Sequence, residues 1–519
     1  MIWNSPWLSL KPYPEVPLSS FVEAAARRYP DRTAFADPGG RAYTYSRLWT
    51  ASGRLARLLQ DKGVAKGSVV GIFAPNCIEY PVLMHGILRA GGVATTLNPL
   101  YREREVELQL ADAGAIALFA PAASLPLVEE ARANLPKLRD VFAIDSLEKM
   151  IEGLSPEPAP VQINPREDLA VLPYSSGTTG LPKGVMLTHF NLTSNIRQLL
   201  AVGLIGAYSK LLDFLPFYHI YGMTVLMNGG LTAGATQIVL PRFDPELCLS
   251  LVQEHRLTDL YLVPPAALAL ANLPNPERFD TSSLRYMLSG AAPLPPEVGA
   301  RVSRALGTRI LQGYGLTEAS PLTNANPLDR TKPLTVGPPV SDTLEKVVDI
   351  ETGAELGPGE AGELLVYGPQ VMKGYLNRPD ASAETLTPDG WLRTGDLVTV
   401  DEEGYVTILD RLKEMIKYRG YQVAPAELEG LLMEHPSVLD AAVIPKADPE
   451  SGEIPKAFVV LRPGAEATAQ QLMGFIEERV APYKKLREVE FIQAIPKTAS
   501  GKILRRELIL QEREKQQQK

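Results

Sequence analysis

Helix-length amphipathic segments alternate with short apolar runs through most of the chain, and that alternation admits few architectures. Residues 68–74 read as a strand, 78–90 as a helix and 93–97 as a strand again, and a helix over 105–111 with a strand over 115–119 repeats the unit. Strand, helix, strand in this order is the period of a parallel sheet with helices on its faces. Before it, Ser19-Ser20 opens a helix, 33–36 and 41–45 alternate like a hairpin, and 46–62 is a helix closed by Gly63. A second set follows, with strands at 211–215, 236–240, 259–263, 284–288 and 309–311. Asp244-Pro245 opens a helix to His255, and another helix covers 296–306. Several loops should therefore gather at the carboxyl ends of parallel strands, where doubly wound sheets bind ligands.

The stretch 125–162 is rich in proline and charge and reads as a link between the two sets. From about Thr335 the pattern changes to short strands and turns (345–349, 362–367, 390–393, 405–409), which predicts a small β-barrel-like subdomain. A last mixed unit ends in a polar tail over 511–519. A chain of 519 residues with 45% apolar content supports two or three such cores.

Composition narrows the partners. A net charge of −8 provides no basic field for nucleic acid. The two cysteines, Cys77 and Cys248, lie far apart and suit a reducing compartment. The first residues show no basic-then-apolar leader, and no apolar window is long enough to span a bilayer, so the expected address is cytoplasmic. The five histidines lack ligand-like pairing, which gives no case for zinc, whereas magnesium held mainly by nucleotide phosphates would leave no sequence trace. A homodimer is compatible with all of this.

One stretch speaks of chemistry. Tyr174-Ser-Ser-Gly-Thr-Thr-Gly-Leu-Pro-Lys-Gly-Val185 follows an apolar strand and packs hydroxyls, glycines and one lysine into a dozen residues. Glycines let backbone N–H groups approach an anion, hydroxyls add donors, and the lysine supplies a point charge for outer phosphates. The spacing of the common nucleotide-hydrolase loop is absent, because Pro182 precedes Lys183 and Gly184 follows it. Alone, such a stretch could also be a surface turn.

This motif resembles the signature of the adenylate-forming superfamily of acyl- and aryl-CoA ligases, luciferases and peptide-synthetase adenylation domains. Other stretches resemble that family's parts in the same order. The resemblance implies an α/β fold: a large N-terminal region over 1–410, with two doubly wound sheets and the barrel-like subdomain, and a small mobile α+β lid over 411–519 with its hinge near Lys413. It assigns Ser176, Gly177, Thr178, Thr179, Gly180 and Lys183 to the ATP phosphates. In Gln312-Gly313-Tyr314-Gly315-Leu316-Thr317-Glu318, Tyr314 would stack on adenine, Thr317 would meet the α-phosphate and Glu318 would hold magnesium. Gly290 and Ala291 would line the adenine and the acyl group. Asp396, with Arg411, would take the ribose hydroxyls. His219 matches the family's carboxylate-side histidine, and Tyr221, Met223 and Gly290 would border the acid with it. Lys502, in Pro496-Lys-Thr-Ala-Ser-Gly-Lys502, matches the lysine that bridges carboxylate and α-phosphate. The loop carrying Lys417 and Gly420 would enter after the lid turns and pass the pantetheine thiol.

The implied substrates are a carboxylic acid, ATP with magnesium, and coenzyme A. The lid wording is like that of fatty-acid and 4-coumarate ligases. Bulky apolar residues after His219, with no charged partner for an amino group, disfavour amino acids and point to a medium- or long-chain aliphatic acid. The alternatives are an aryl acid, a luciferase-like oxygenase, an acyl-AMP ligase that loads a carrier protein, and a binding protein with a dead site.

Overall fold

The computed structural model describes residues 1–175, 182–419, 421–448, 450–498 and 501–517. Its N-terminal region is built on two large sheets. In the first, the strands Ala117–Ala120, Val69–Phe73, Val93–Leu97 and Leu169–Ser175 lie side by side and parallel, with Asp140–Ala143 on one edge. The antiparallel pair Lys183–Thr188 and Gly374–Tyr375 extends the other edge. Val70, Ile72, Ala94 and Val171 are buried, as expected of parallel strands covered on both faces.

The second sheet has eight strands. Ile310–Gly315, Tyr286–Ser289, Asp259–Leu262, Lys210–Asp213, Thr236–Val239 and Thr33–Ala36 run parallel, and antiparallel strands close both ends. Phe35 and Val239 of this sheet share one apolar core with Val70, Ile72 and Val171 of the first. The helices Tyr45–Asp61 and Tyr80–Arg89 run through that core in close contact. At their crossing, a Cβ on Gly86 would stand 2.6 Å from Leu55 Cδ2, so only glycine permits the approach.

The stretch 125–162 is not merely a link. It forms the helices Leu125–Arg132 and Leu147–Ile151 and the edge strand Asp140–Ala143. Val128, Ala131, Phe142, Leu147 and Ile151 are buried at spaced positions, and the charges between them raise the average polarity without breaking the pattern.

The barrel-like unit is a five-stranded antiparallel sheet in the order Trp3–Asn4, Leu344–Val348, Gly362–Tyr367, Leu392–Val400, Val406–Arg411. Its first strand comes from the start of the chain, which the sequence pattern does not reveal. The C-terminal unit pairs Val438–Asp448 with Gly452–Leu461, adds the hairpin Ile416–Tyr418 and Tyr421–Val423, and carries the helices Pro425–Glu434, Ala469–Glu477 and Arg505–Gln517. The polar stretch from Gln511 belongs to this last helix, anchored because Glu512 pairs with the buried Lys456 at 2.5 Å. Among the described residues no helix is long and apolar enough to cross a membrane.

Glu345 lies opposite Trp3, fully buried; Oε2 accepts from Asn324 Nδ2 at 3.2 Å, and Oε1 has no partner among the described residues. Burial pushes its carboxyl up to about 8 from an ordinary 4.5. The folded state then binds the extra proton between those values, so this group's contribution to stability falls as pH rises from about 4.5 to 8 and is flat above. Glu345→Gln should raise the thermal midpoint over the parent by a margin that grows across that window and then levels off. A margin independent of pH would show that the buried carboxyl is not protonated.

Candidate active site

The strand Ile310–Gly315 carries Tyr314 and Gly315 to the carboxyl edge of the large sheet, where the chain doubles back into Leu322–Ala325. A Cβ on Gly315 would meet the Pro321 carbonyl oxygen at 2.2 Å, so this reversal requires glycine. The short turn Thr317–Ala319 lies between and presents Glu318. Gln312 has a supporting place, with Oε1 accepting from the Leu294 N–H at 3.1 Å and so holding the loop after Gly290.

The Tyr314 hydroxyl donates to Asp396, and the Arg411 Nε reaches the other oxygen of the same carboxylate at 3.1 Å. Asp396 and Arg411 face each other in antiparallel register, so the pair is built into the sheet. Burial raises the Asp396 pKa, and Arg411 and Tyr314 oppose that rise. Asp396 in turn raises that of Arg411. The carboxylate is thus held on the side of the subdomain that faces Tyr314.

Glu318 receives the Tyr375 hydroxyl at 2.8 Å on Oε1, and its carbonyl accepts from the Met372 N–H at 2.8 Å. Lys183 stands over the Tyr375 ring, its Nζ 4.8 Å from the centroid. Of the expected phosphate loop, Lys183 is therefore placed on the face of the ring whose hydroxyl meets Glu318. Ser176, Gly177, Thr178, Thr179 and Gly180 lie outside the described residues, as does Gly420.

His219 precedes Tyr221–Asn228, a wide helical turn; π-type turns of this kind are frequent at functional sites. The turn is stabilised by burial of all eight of its residues and by Gly222, whose Cβ would lie 2.3 Å from the Pro216 carbonyl oxygen. His219 Nδ1 accepts from the Tyr221 N–H at 3.2 Å, which puts the ring proton on Nε2. Burial, and then the charge of Lys502, push His219 down to about 4 and keep it neutral. The Tyr221 ring lies against Gly290, where a Cβ would meet Cε1 at 3.2 Å, and the next residue, Ala291, has φ of +71°. Met223 does not join them. It packs with Phe217, Ile220 and Met227 in the core between the sheets, while Tyr221, Val225 and Leu226 join the core that holds Leu262 and Leu288.

Lys502 reaches this place from the C-terminal unit. The turn before it is closed by the Gly501 N–H on Thr498 O and the Thr498 N–H on Lys502 O, both at 2.8 Å. Gly501 has φ of +83°, and a Cβ there would stand 2.5 Å from Pro265 Cδ and 3.3 Å from Val263 Cβ. The turn therefore seats directly on the start of the helix Pro264–Ala271. Burial and Arg411 push the Lys502 ammonium down to about 8, against Glu414, Asp396 and Glu318, which favour its charge. The lysine thus lies within electrostatic reach of Arg411, Asp396, Glu318 and His219.

Lys413 is exposed in the turn after Val406–Arg411. Lys417 is exposed and packs on its own unit, its N–H donating to Glu453 Oε2 at 2.8 Å. Two features escape sequence reasoning. Tyr375 is one. The other is the set of contacts around residues 410–414, where Asp410 Oδ2 accepts from the Ala426 N–H at 2.8 Å, and Arg505 joins Glu414 at 3.0 Å and Glu429 at 2.8 Å.

Two family models cover most of the chain: AMP-binding enzyme over residues 22–376 and AMP-binding enzyme C-terminal domain over 427–502. The chain belongs to the AMP-binding enzyme family. Peroxisomal OPC-8:0-CoA ligase 1 of Arabidopsis thaliana is 38% identical over 97% of this chain and 94% of its own length. 4-coumarate–CoA ligase of Pinus taeda is 38% identical over 95% and 94%. Long-chain-fatty-acid–CoA ligase of Bacillus subtilis (strain 168) is 37% identical over 97% and 96%. Among solved structures, ATP-bound MatB from Rhodopseudomonas palustris is similar with a TM-score of 0.88 at 31% identity, over 96% of this chain and 99% of that one. Its apo form matches over the same shares with a TM-score of 0.78 at 31% identity.

In this AMP-binding enzyme no group of three or more His, Cys, Asp or Glu gathers as a metal cage among the described residues. Glu318 offers one carboxylate oxygen, Oε2, without a hydrogen-bond partner among those residues. A single carboxylate fits magnesium, which is commonly held by one or two carboxylates together with substrate phosphates and water.

The seat of Gly501 can be tested without turnover. Forcing a methyl into a packed contact costs about 1–3 kcal/mol, so Gly501→Ala should speed tryptic cleavage within 411–417 by roughly 5- to 150-fold. Cleavage at the parent rate would mean that this contact does not hold the two units together.

Proposed function

We propose that this AMP-binding enzyme is an AMP-forming acid–CoA ligase. A carboxylate oxygen attacks the α-phosphorus of ATP, the bond to pyrophosphate breaks, and the CoA thiol then attacks the acyl carbon and releases AMP. The observation that carries the reading is Lys502, a half-buried ammonium seated on the N-terminal region beside Arg411, Asp396, Glu318 and His219. Two anions must meet in the first step, and a charge held out of water is suited to offset their repulsion.

In this reading the 176–180 loop and Lys183 hold the outer phosphates, and Thr317 meets the α-phosphate. Asp396 and Arg411 take the ribose, and Tyr314, Gly290, Ala291 and the glycines 313 and 315 border the adenine. Glu318 holds magnesium, which when bound neutralises phosphate charge. Neutral His219, with its proton on Nε2, donates toward the carboxylate. Residues 411–519 act as the lid and turn about Lys413, bringing Lys417 and Gly420 in for the thiol step. The better superposition on ATP-bound than on apo MatB supports an adenylation-ready arrangement of the two units. Two free cysteines accord with a reducing, cytoplasmic address.

The acid we propose is a medium- or long-chain aliphatic one, supported by the apolar surroundings of Tyr221, Val225 and Leu226 and by the fatty-acid ligase relative. An aryl acid is the second reading. It is favoured by the Tyr221 ring on Gly290, which suits a flat group, and by the 4-coumarate ligase relative.

Products distinguish adenylation from other ATP chemistry. AMP and pyrophosphate should appear in step with the thioester, and ADP with phosphate would sink the reading. With acids from acetate to palmitate, kcat/KM should climb with length, each buried methylene adding about 0.8 kcal/mol, until the pocket ends. Coumarate outperforming every fatty acid would select the second reading.

Lys502 also sets a pH limb. Its charge is present below about 8 in the free enzyme and lost above. The kcat/KM of pyrophosphate exchange should therefore fall as pH rises through 8, and Lys502→Arg should remove that limb. Lys502→Ala should lower the exchange roughly 10²-fold or more while sparing thioester formation from a supplied acyl-adenylate. Equal loss of both steps would exclude a role confined to the first.

A further inference from the structure

Lys183 and Glu318 come from distant parts of the chain and carry opposite charges, yet among the described residues neither is in an ion pair. A ring stands between them. The Tyr375 ring face meets the Lys183 ammonium at 4.8 Å, and its hydroxyl donates to Glu318 Oε1 at 2.8 Å. The backbone around Tyr375 is zipped on both sides. Gly374 and Tyr375 lie opposite Met186 and Val185. The Leu376 N–H donates to Gly184 O at 2.8 Å, Lys373 to Met186 O at 3.0 Å and Met372 to Glu318 O at 2.8 Å. Only 8% of the tyrosine is exposed. Main-chain pairing, and not the charges themselves, therefore sets where the ring sits.

We propose that Tyr375 is a positioning residue that keeps the Lys183 ammonium and the Glu318 carboxylate apart, so that each serves the phosphate end of a bound nucleotide and not the other. This rests on the adenylation reading above. A lysine on a flexible four-carbon stem pairs with any carboxylate in reach, and a paired lysine must be pulled free before it can meet a phosphate. An aromatic face attracts the cation without neutralising it. The hydroxyl meanwhile fixes one oxygen of Glu318 and leaves Oε2 open. A tyrosine is suited to both tasks: phenylalanine lacks the donor and an aliphatic residue lacks the face.

The test uses the full chain and an ATP analogue with a methylene between the α- and β-phosphates, bound in a calorimeter with magnesium and, separately, with EDTA. Tyr375→Phe keeps the ring and loses the bond to a charged acceptor, so affinity should fall about tenfold with magnesium and hold in EDTA. Tyr375→Leu should weaken binding in both. In a Glu318→Gln background, Tyr375→Phe should have no further effect, and the KM for the acid should not move in any Phe variant. The Phe variant should also stay fully folded at the assay temperature, checked by its thermal midpoint. Tyr375→Phe that matches the parent in both buffers, weakens both equally, or adds its full loss to Glu318→Gln would overturn the proposal while leaving adenylation standing. A parent chain that binds no analogue would overturn both.

Discussion

One ammonium charge, held where water is scarce, organises the electrostatics of the site. Partial burial and Arg411 push the Lys502 ammonium down to about 8, and Glu414, Asp396 and Glu318 oppose that fall. The same charge reaches His219 and helps to fix that ring as neutral. Arg411 works in the opposite sense, because it lowers the lysine while neutralising Asp396. The groups are therefore not independent. A change at Asp396 would be felt by the lysine, the histidine and Tyr314 together, and single substitutions here should not be read as additive.

Placing that charge depends on joints between the two units. Gly501 seats against Pro265, and the segment 410–414 is braced on both sides. The helix Pro425–Glu434 has no side-chain cap of its own at Ala424, and the Asp410 carboxylate takes that place. Arg505, three residues beyond Lys502, ties the lysine's segment to Glu414 and to Glu429 in that helix. The segment that carries Lys502 is thus ionically tied to the stretch after Val406–Arg411 and to the helix that Asp410 caps.

Much of this was legible in the sequence, for identifiable reasons. Parallel strands buried on both faces write themselves as apolar runs, so both large sheets could be read, and glycine-rich junctions such as 312–318 mark reversals that backbone sterics demand. Tyr375 could not be read in that way. It gains its place from pairing with Lys183–Thr188, and a lone Gly-Tyr step carries no periodic signal of such a partner. The stretch 125–162 misled because averaged polarity hid spaced buried positions. The sequence does not separate Met223 from Tyr221, yet a residue two places on along a wide turn joins another core. Asp410 reads as an ordinary residue at a strand end, and nothing local tells that it caps the helix Pro425–Glu434.

The first strand, Trp3–Asn4, pairs with Leu344–Val348, so residues 3 and 4 are sewn into the five-stranded subdomain. Trp3 also lies in that subdomain's core with Val347, Leu364 and Val398. On a ribosome that adds about 5–20 residues per second, the earliest residues to emerge must wait on the order of tens of seconds for their partner strand. The parallel strands of the two large sheets can assemble before then, but the five-stranded sheet cannot, and the edge strand Gly374–Tyr375 of the first large sheet also comes later. Synthesis thus leaves the strand pair that carries Asp396 and Arg411 until late, after most of the chain's mass has been made.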